Sequence, residues 1–138
     1  MIQTTTDIHQ GDAAKTLAQL LDKGKQWDYC LSSPPYFGLC DYQHPEQYGL
    51  ETDSETYLDA IAHVYGLVRL GMTDEGILWL NIGDTRNNYS QITERGRRGK
   101  TTRRRKPEGQ EKTLMNIPHR LLDRLKSQGW AHLQTYIW

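Results

Sequence analysis

The sequence holds two cysteines, Cys30 and Cys40, and their spacing fits no metal motif. Two thiols make a poor disulfide framework, so a reducing cytoplasm is the expected compartment. Five histidines, His9, His44, His63, His119 and His132, are scattered along the chain. None stands with cysteine or paired carboxylates in a ligand cluster, so no metal site is expected. No apolar run is long enough to span a membrane. The opening MIQTTTDIHQ has no basic segment followed by an apolar one, so no secretory signal is expected either. No internal repeat is found. Hydrophobic residues are 36% and charged residues 25%, which is polar but not a disordered composition. A chain of 138 residues is then expected to form one domain with a real core.

Net charge is also absent, since the formal total is +0. That average hides a split. The stretch from Arg86 to Lys112 contains ten Lys/Arg and three Glu, a local +7, and the rest of the chain therefore carries −7. A basic segment on an acidic body is a sharper signal than a neutral total, and it points to a polyanionic partner.

Periodicity places the elements. Residues 5–9, TTDIH, read as a short strand. Asp12 is a helix N-cap candidate, followed by an apolar face of Ala13, Ala14, Leu17, Leu20 and Leu21, with Gly24 as the stop. Tyr29 to Ser32 reads as a strand that ends at a Pro-Pro corner, because proline cannot continue a central ladder. Residues 41–51 read as loop. Thr52-Asp53-Ser54-Glu55 has the form of a capping box. The helix after it places Leu58, Ile61, Tyr65 and Val68 on one face, with Val64 beside them. Thr73 to Gly76 reads as a turn, and Ile77 to Ile82 as a strand covered on both faces. Residues 85–112 have no apolar periodicity and read as a basic, flexible loop. Asn116 and Pro118 suit a helix start, Ile117, Leu121 and Leu125 share a face, and Gly129 ends it. His132 to Trp138 reads as a last strand, with Trp79, Trp130 and Trp138 in the core. The alternation of strand and helix predicts an α/β fold, a mostly parallel sheet with helices on its faces.

In such sheets ligands sit at the carboxyl ends of the strands. Two segments fall there: Ser33-Pro34-Pro35-Tyr36 and Asn81-Ile82-Gly83-Asp84. Asn81 and Asp84 read as shaping a turn. The first segment has specific equipment. Ser33 offers a hydroxyl acceptor. Pro34 and Pro35 have fixed φ and no N–H, so their carbonyls stand without competing donors. Tyr36 and Phe37 offer flat surfaces for stacking a base. These parts suit methylation of an exocyclic amine. Two acceptors, the Ser33 oxygen and the Pro34 carbonyl, would bind its two N–H groups and aim its lone pair at a methyl donor. The base would first leave the duplex, with Tyr36 holding it by stacking. On its own, Ser-Pro-Pro-Tyr is also an ordinary turn.

The match runs further than four residues. WDYCLSSPPYFGLCDYQ (27–43) resembles the catalytic strand and tetrapeptide of the DNA amino-methyltransferases, with Phe37 for the usual Trp and Cys40 for the usual Arg. ILWLNIGDT (77–85), KTLMNIPHRLLDRLKSQGWAHLQTYIW (112–138) and IHQGDAAKTLAQL (8–20) resemble three further segments of that family in order. The resemblance is to bacterial and phage members in which the catalytic motif precedes the cofactor motif. It covers the chain apart from the basic stretch.

The resemblance implies a partial Rossmann-like, S-adenosylmethionine-dependent fold, residues 1–138 being the catalytic-motif half. It implies site-specific methylation of double-stranded DNA in a bacterial or phage-infected cytoplasm. Ser33, Pro34, Pro35 and Tyr36 are then catalytic, and the serine form favours cytosine N4 over adenine N6. Asp12 would approach the cofactor adenine, its plainer role being the helix cap. Arg97, Arg98, Lys100, Arg103, Arg104, Arg105 and Lys106 would contact phosphates, giving affinity without sequence information. The family's Phe-x-Gly-x-Gly loop, which holds the methionine part of the cofactor, does not occur here. Two alternatives follow: an inactive fragment with weak DNA binding, or a split enzyme completed by a second polypeptide or by self-association.

Overall fold

A computed structural model describes residues 5–87, 90–94, 101–105 and 107–137, with the backbone path alone at 90–94 and 101–105. Its centre is a long helix, α2 (Ser54–Gly71). Tyr57, Leu58, Ile61, Ala62, Tyr65 and Val68 all turn inward. They lie at the three- and four-residue spacings of one helix face. The predicted stripe of Leu58, Ile61, Tyr65 and Val68 is thus the buried one, and Val64 is half-buried at its margin. Helix α3 (Ile117–Ser127) packs Ile117, Leu121 and Leu125 against it, and α1 (Ala13–Asp22) lies beside it. Each fully buried aliphatic side chain contributes roughly 1.5–3 kcal/mol.

The caps explain the helix bounds. Asp12 accepts from the Lys15 amide at 2.8 Å, as an N-cap should. At α2 the cap is Asp53, which accepts from the Thr56 amide at 2.8 Å. The expected capping box at Thr52 is therefore wrong by one residue. Glu55, its supposed reciprocal partner, instead pairs with Arg120 and Arg124 on α3. Gly24 and Gly129 take φ of 68° and 93° just past α1 and α3, conformations that favour glycine.

Strands β1 (Trp27–Ser32) and β3 (Met72–Leu80) pair in parallel, with Tyr29 opposite Ile77 and Leu31 opposite Trp79. The predicted turn at 73–76 is a bulge within β3, because Trp27 pairs with Met72 and four residues are then set against Asp28 alone. β3 ends at Leu80, two residues short of expectation. Between them in sequence, β2 (Cys40–Asp41) pairs in parallel with β4 (Ser90–Glu94), which pairs antiparallel with β5 (Thr101–Arg105).

Several expectations are corrected. The described residues form a two-stranded parallel sheet and a separate three-stranded one, not a single four-stranded sheet. Residues 5–9 and 132–137 are not strands, for neither has a ladder partner. The basic stretch is not all loop, since part of it pairs as β4 and β5. Trp79 is not core; it is 43% exposed and stacks on Tyr136 at 5.8 Å. Trp130 is partly buried against the core, and Trp138 lies outside the described residues. Among the described residues, no helix is long and apolar enough to cross a membrane, and no group of His, Cys, Asp and Glu could hold a metal ion.

Candidate active site

The corner 33–36 leaves the carboxyl end of β1. The turn 81–84 leaves the carboxyl end of β3 beside it, where the Asn81 amide donates to the Ser32 carbonyl at 2.9 Å. Parallel pairing is the reason both segments emerge on the same edge.

Helix α2 fixes the corner from beneath. The Tyr65 hydroxyl donates to Ser32 Oγ at 3.0 Å, and the Tyr57 hydroxyl donates to the Pro35 carbonyl at 2.9 Å. Both phenols are buried, and desolvation pushes their pKa up, to about 12 for Tyr65. They are therefore neutral hydrogen-bond donors at any ordinary pH. Among the described residues no hydrogen bond is made to the Ser33 or Pro34 carbonyl, so these two acceptors stand open between the Ser32 and Pro35 carbonyls, which are taken.

The aromatic pair divides. Phe37 is 1% exposed and stacks on Tyr57 at 5.1 Å. It has no face for a base, and its expected stacking role is corrected to core packing. Tyr36 stays half-buried, with its ring over Gly83. A Cβ at Gly83 would lie 3.0 Å from Tyr36 Cε2, so any side chain there would push the ring by a few tenths of an ångström. Behind the corner, a Cβ at Gly49 would meet the Tyr36 carbonyl at 2.9 Å, and Gly49 accepts from the Gly38 amide at 2.7 Å. Ser33 is exposed, and its hydroxyl lies 3.5 Å from that of Tyr36, too far to hold either.

Asp12 does not reach the corner through a contact of its own. Oδ1 caps α1, while Oδ2 accepts from the Tyr48 hydroxyl at 3.3 Å. The cap bond to the Lys15 amide is the main cause of its lowered pKa. Tyr48 precedes Gly49, so one dipeptide links Asp12 to the back of Tyr36. Two open depressions, of about 460 and 330 Å³, lie along 41–51 and between α2 and 108–115, and neither is lined by Asp12 or by 33–36.

Asp84 has a clear task. Its carboxylate accepts from the amides of Asn116 and Ile117 at 3.1 and 3.0 Å. It caps α3 from a distance, where Asn116 sits in a left-handed conformation with no cap bond of its own. The turn-shaping role expected of Asp84 is thus not its main one: locally it accepts only from the Thr85 amide at 2.8 Å, and its other bonds tie this turn to α3.

Of the expected phosphate contacts, Arg97, Arg98, Lys100 and Lys106 lie outside the described residues. Arg103, Arg104 and Arg105 are placed by backbone on β5, with Arg104 opposite Gln91. Because β4 also pairs with Cys40 and Asp41, the ribbon is tied to the chain four residues beyond Tyr36. The return of this excursion is clamped. Asn87, 5% exposed, accepts from the Glu108 amide at 2.7 Å and donates to the Gln110 carbonyl at 3.0 Å.

Sequence reasoning missed Tyr57, Tyr65, Gly83 and Gly49. The tyrosines carry a usable signal: a core-facing phenol must find an acceptor. The glycines carry none, since close approach is a property of the packed structure.

Comparison with known proteins gives the relationship. The chain is 33% identical over 138 residues to the Type II methyltransferase M.Cfr9I of Citrobacter freundii, covering 95% of this chain and 45% of that protein. It is 33% identical over 144 residues to M.XycI of Xanthomonas campestris pv. cyanopsidis, covering 100% of this chain and 47% of the relative. The chain is related to the Type II methyltransferases. Against M.SfiI of Streptomyces fimbriatus it is 32% identical over 131 residues, 95% of this chain and 29% of the relative. The chain therefore spans less than half the length of these methyltransferases. No family model matches it, and no solved structure matches it.

Proposed function

We propose that this chain carries the base-holding corner of a site-specific DNA methyltransferase, with cytosine N4 as the favoured target and adenine N6 as the competing one. The observation that supports this most is the corner itself. Pro34 presents an open carbonyl and Tyr36 an accessible ring, at the joined carboxyl ends of two parallel strands.

The residues act by position. An extruded base would lie on the Tyr36 ring, which packs over Gly83 while Gly49 lies against the Tyr36 backbone carbonyl. The Ser33 oxygen and the Pro34 carbonyl would accept the two N–H groups of the exocyclic amine. Accepting both draws the nitrogen away from planarity and directs its lone pair outward. Because Tyr57 and Tyr65 hold the adjoining groups in advance, little reorganisation is needed when the base arrives.

S-adenosylmethionine would be the methyl donor. The described residues do not form a cradle for it: Asp12 offers the remaining lone pairs of an already bonded carboxylate, a single contact for the adenine. Double-stranded DNA would be the substrate, approached through the Arg103–Arg105 strand and its basic neighbours in sequence. The partial Rossmann-like fold and the assignment of residues 1–138 as the catalytic-motif portion belong to the same proposal.

Labelled methyl transfer to DNA by the full protein tests it. Ser33→Ala and Tyr36→Ala should each abolish transfer, and full activity in Tyr36→Ala would remove the stacking role. The inactive-fragment reading has one feature in its favour, that the described residues form no cofactor cradle. It predicts DNA binding with no transfer in any context.

A further inference from the structure

The ring of Tyr36 has two faces, and Gly83 takes one of them. A Cβ placed on Gly83 would fall 3.0 Å from Cε2, 3.1 Å from Cδ2 and 3.7 Å from Cζ of that ring. The backbone at Gly83 is therefore a floor on which the ring rests. At such close packing a shift of the floor is passed to the ring. On one side of Gly83 the Asn81 amide donates to the Ser32 carbonyl at 2.9 Å, joining the turn to the end of β1. On the other side stands Asp84. Its carboxylate accepts from three backbone amides: Thr85 at 2.8 Å, Ile117 at 3.0 Å and Asn116 at 3.1 Å.

Two of those amides open α3. That helix needs an acceptor from outside, because Asn116 makes no side-chain cap bond and the first turn carries no acid. A carboxylate there also meets the positive end of the helix dipole. In turn, α3 is fixed to the core by Ile117 and Leu121, both buried, and by the pairing of Arg120 and Arg124 with Glu55 on α2. The Met115 amide adds a bond to the Thr85 carbonyl at 2.9 Å. Asp84 thus ties the floor under Tyr36 to an anchored helix more than thirty residues later in the chain.

We propose that Asp84 is a positioning residue for the base platform: it sets the place of Gly83, and through Gly83 the plane of the Tyr36 ring. The proposal rests on the methyltransferase reading above, but its first measurement needs no catalysis. Asp84 acts through Gly83 and not on the base. A ring displaced by a fraction of an ångström would tilt the stacked base, and the amine would then meet the Ser33 and Pro34 oxygens out of line.

Meta-fluorotyrosine placed at position 36 of the full protein reports the ring by fluorine NMR. Asp84→Asn keeps the shape of the side chain but removes its charge and one acceptor. It should move the fluorine resonance toward its position in the urea-unfolded chain. It should also lower kcat for methyl transfer by roughly ten-fold, with KM for DNA changed by less than about two-fold. Val68→Ala is the control, since it loosens the core at the opposite end of α2 from Tyr57. Its resonance and kcat should match the wild type. An unmoved resonance in Asp84→Asn overturns the proposal. So does an equal movement in Val68→Ala, which would mean general loosening, or a moved resonance with unchanged kcat. Where hydrogen exchange shows that α3 of Asp84→Asn has come undone, Asp84→Glu, with its carboxylate on a longer arm, takes its place under the same outcomes. A moved resonance in a protein whose wild type transfers no methyl group would uphold the positioning and count against the catalytic reading alone.

Discussion

The hydroxyl of Tyr57 donates to the carbonyl of Pro35 at 2.9 Å, tying the core helix to the corner 22 residues earlier. The bond is buried on the phenol side, and it holds the Pro35 carbonyl beside the unbonded one of Pro34. Tyr57→Phe keeps the ring and its stack on Phe37 but removes the donor. It should cost about 1–2 kcal/mol in urea unfolding, with an unchanged m value. An unchanged midpoint would show that the bond does not order the corner.

Gly83→Ala should act through Tyr36. The added methyl would fall 3.0–3.1 Å from two ring carbons, so the ring must move. The expected cost is about 1–2 kcal/mol in the native background. In a Tyr36→Ala background that cost should disappear, and a double-mutant cycle measures the difference. Additive costs would place the strain elsewhere.

Tyr65 gives the chain an alkaline limit. Its hydroxyl pKa is raised from 10.0 to about 12 by burial. The unfolded chain therefore releases this proton first as pH rises. The stabilising difference is full below about pH 10 and is lost between pH 10 and 12, on the order of 2 kcal/mol. Tyr65→Phe should flatten the pH dependence of stability in that window. Tyr57 is raised in the same direction, so the single variant should flatten the curve in part. A wild-type curve already flat across the window would contradict the assignment.

The base of the ribbon should be sensitive at Glu108. Its carboxylate accepts from the Ser54 amide at 3.0 Å and from the Ser54 hydroxyl, and Ser54 is fully buried at the first turn of α2. Arg120 donates to the same hydroxyl at 2.8 Å. Glu108→Ala leaves these donors without their acceptor and should cost about 1–3 kcal/mol by thermal unfolding. Asp53→Ala, which removes the ordinary cap of the same helix, should cost about 1 kcal/mol.

The helices were legible because their apolar spacing and stop signals are local. Leu58, Ile61, Tyr65 and Val68 needed no tertiary information, nor did Gly24 and Gly129. The corner was legible for a similar reason, since Pro34 and Pro35 terminate a strand wherever they occur. What escaped was relational. TTDIH and the run after His132 have strand-like composition, but a strand exists only with a ladder partner. Phe37 and Tyr36 are adjacent and aromatic, and only packing decides that one lies under Tyr57 and the other over Gly83. The bulge at 73–76 reads as a turn locally because its residues are turn residues. Whether they reverse the chain depends on β1 continuing alongside. Polar composition likewise marked 85–112 as loop, while pairing of β4 with both β2 and β5 is set by backbone rather than by apolar spacing.

Basic charge on that ribbon makes a separate prediction. Arg103→Ala with Arg104→Ala should weaken DNA binding across sequences and reduce its salt dependence, since each phosphate contact adds about 0.9 to the slope of log affinity against log salt. An unchanged slope would remove β5 from the DNA interface.

The central claim is that the corner holds an exocyclic amine for methylation, and nucleoside mass spectrometry tests it most directly. DNA is taken from cells expressing the full protein and digested to nucleosides. N4-methyldeoxycytidine should be present with the wild-type corner and absent with Tyr36→Ala. The same mark at the same level in Tyr36→Ala, or no methylated amine from the wild-type protein, would contradict the account.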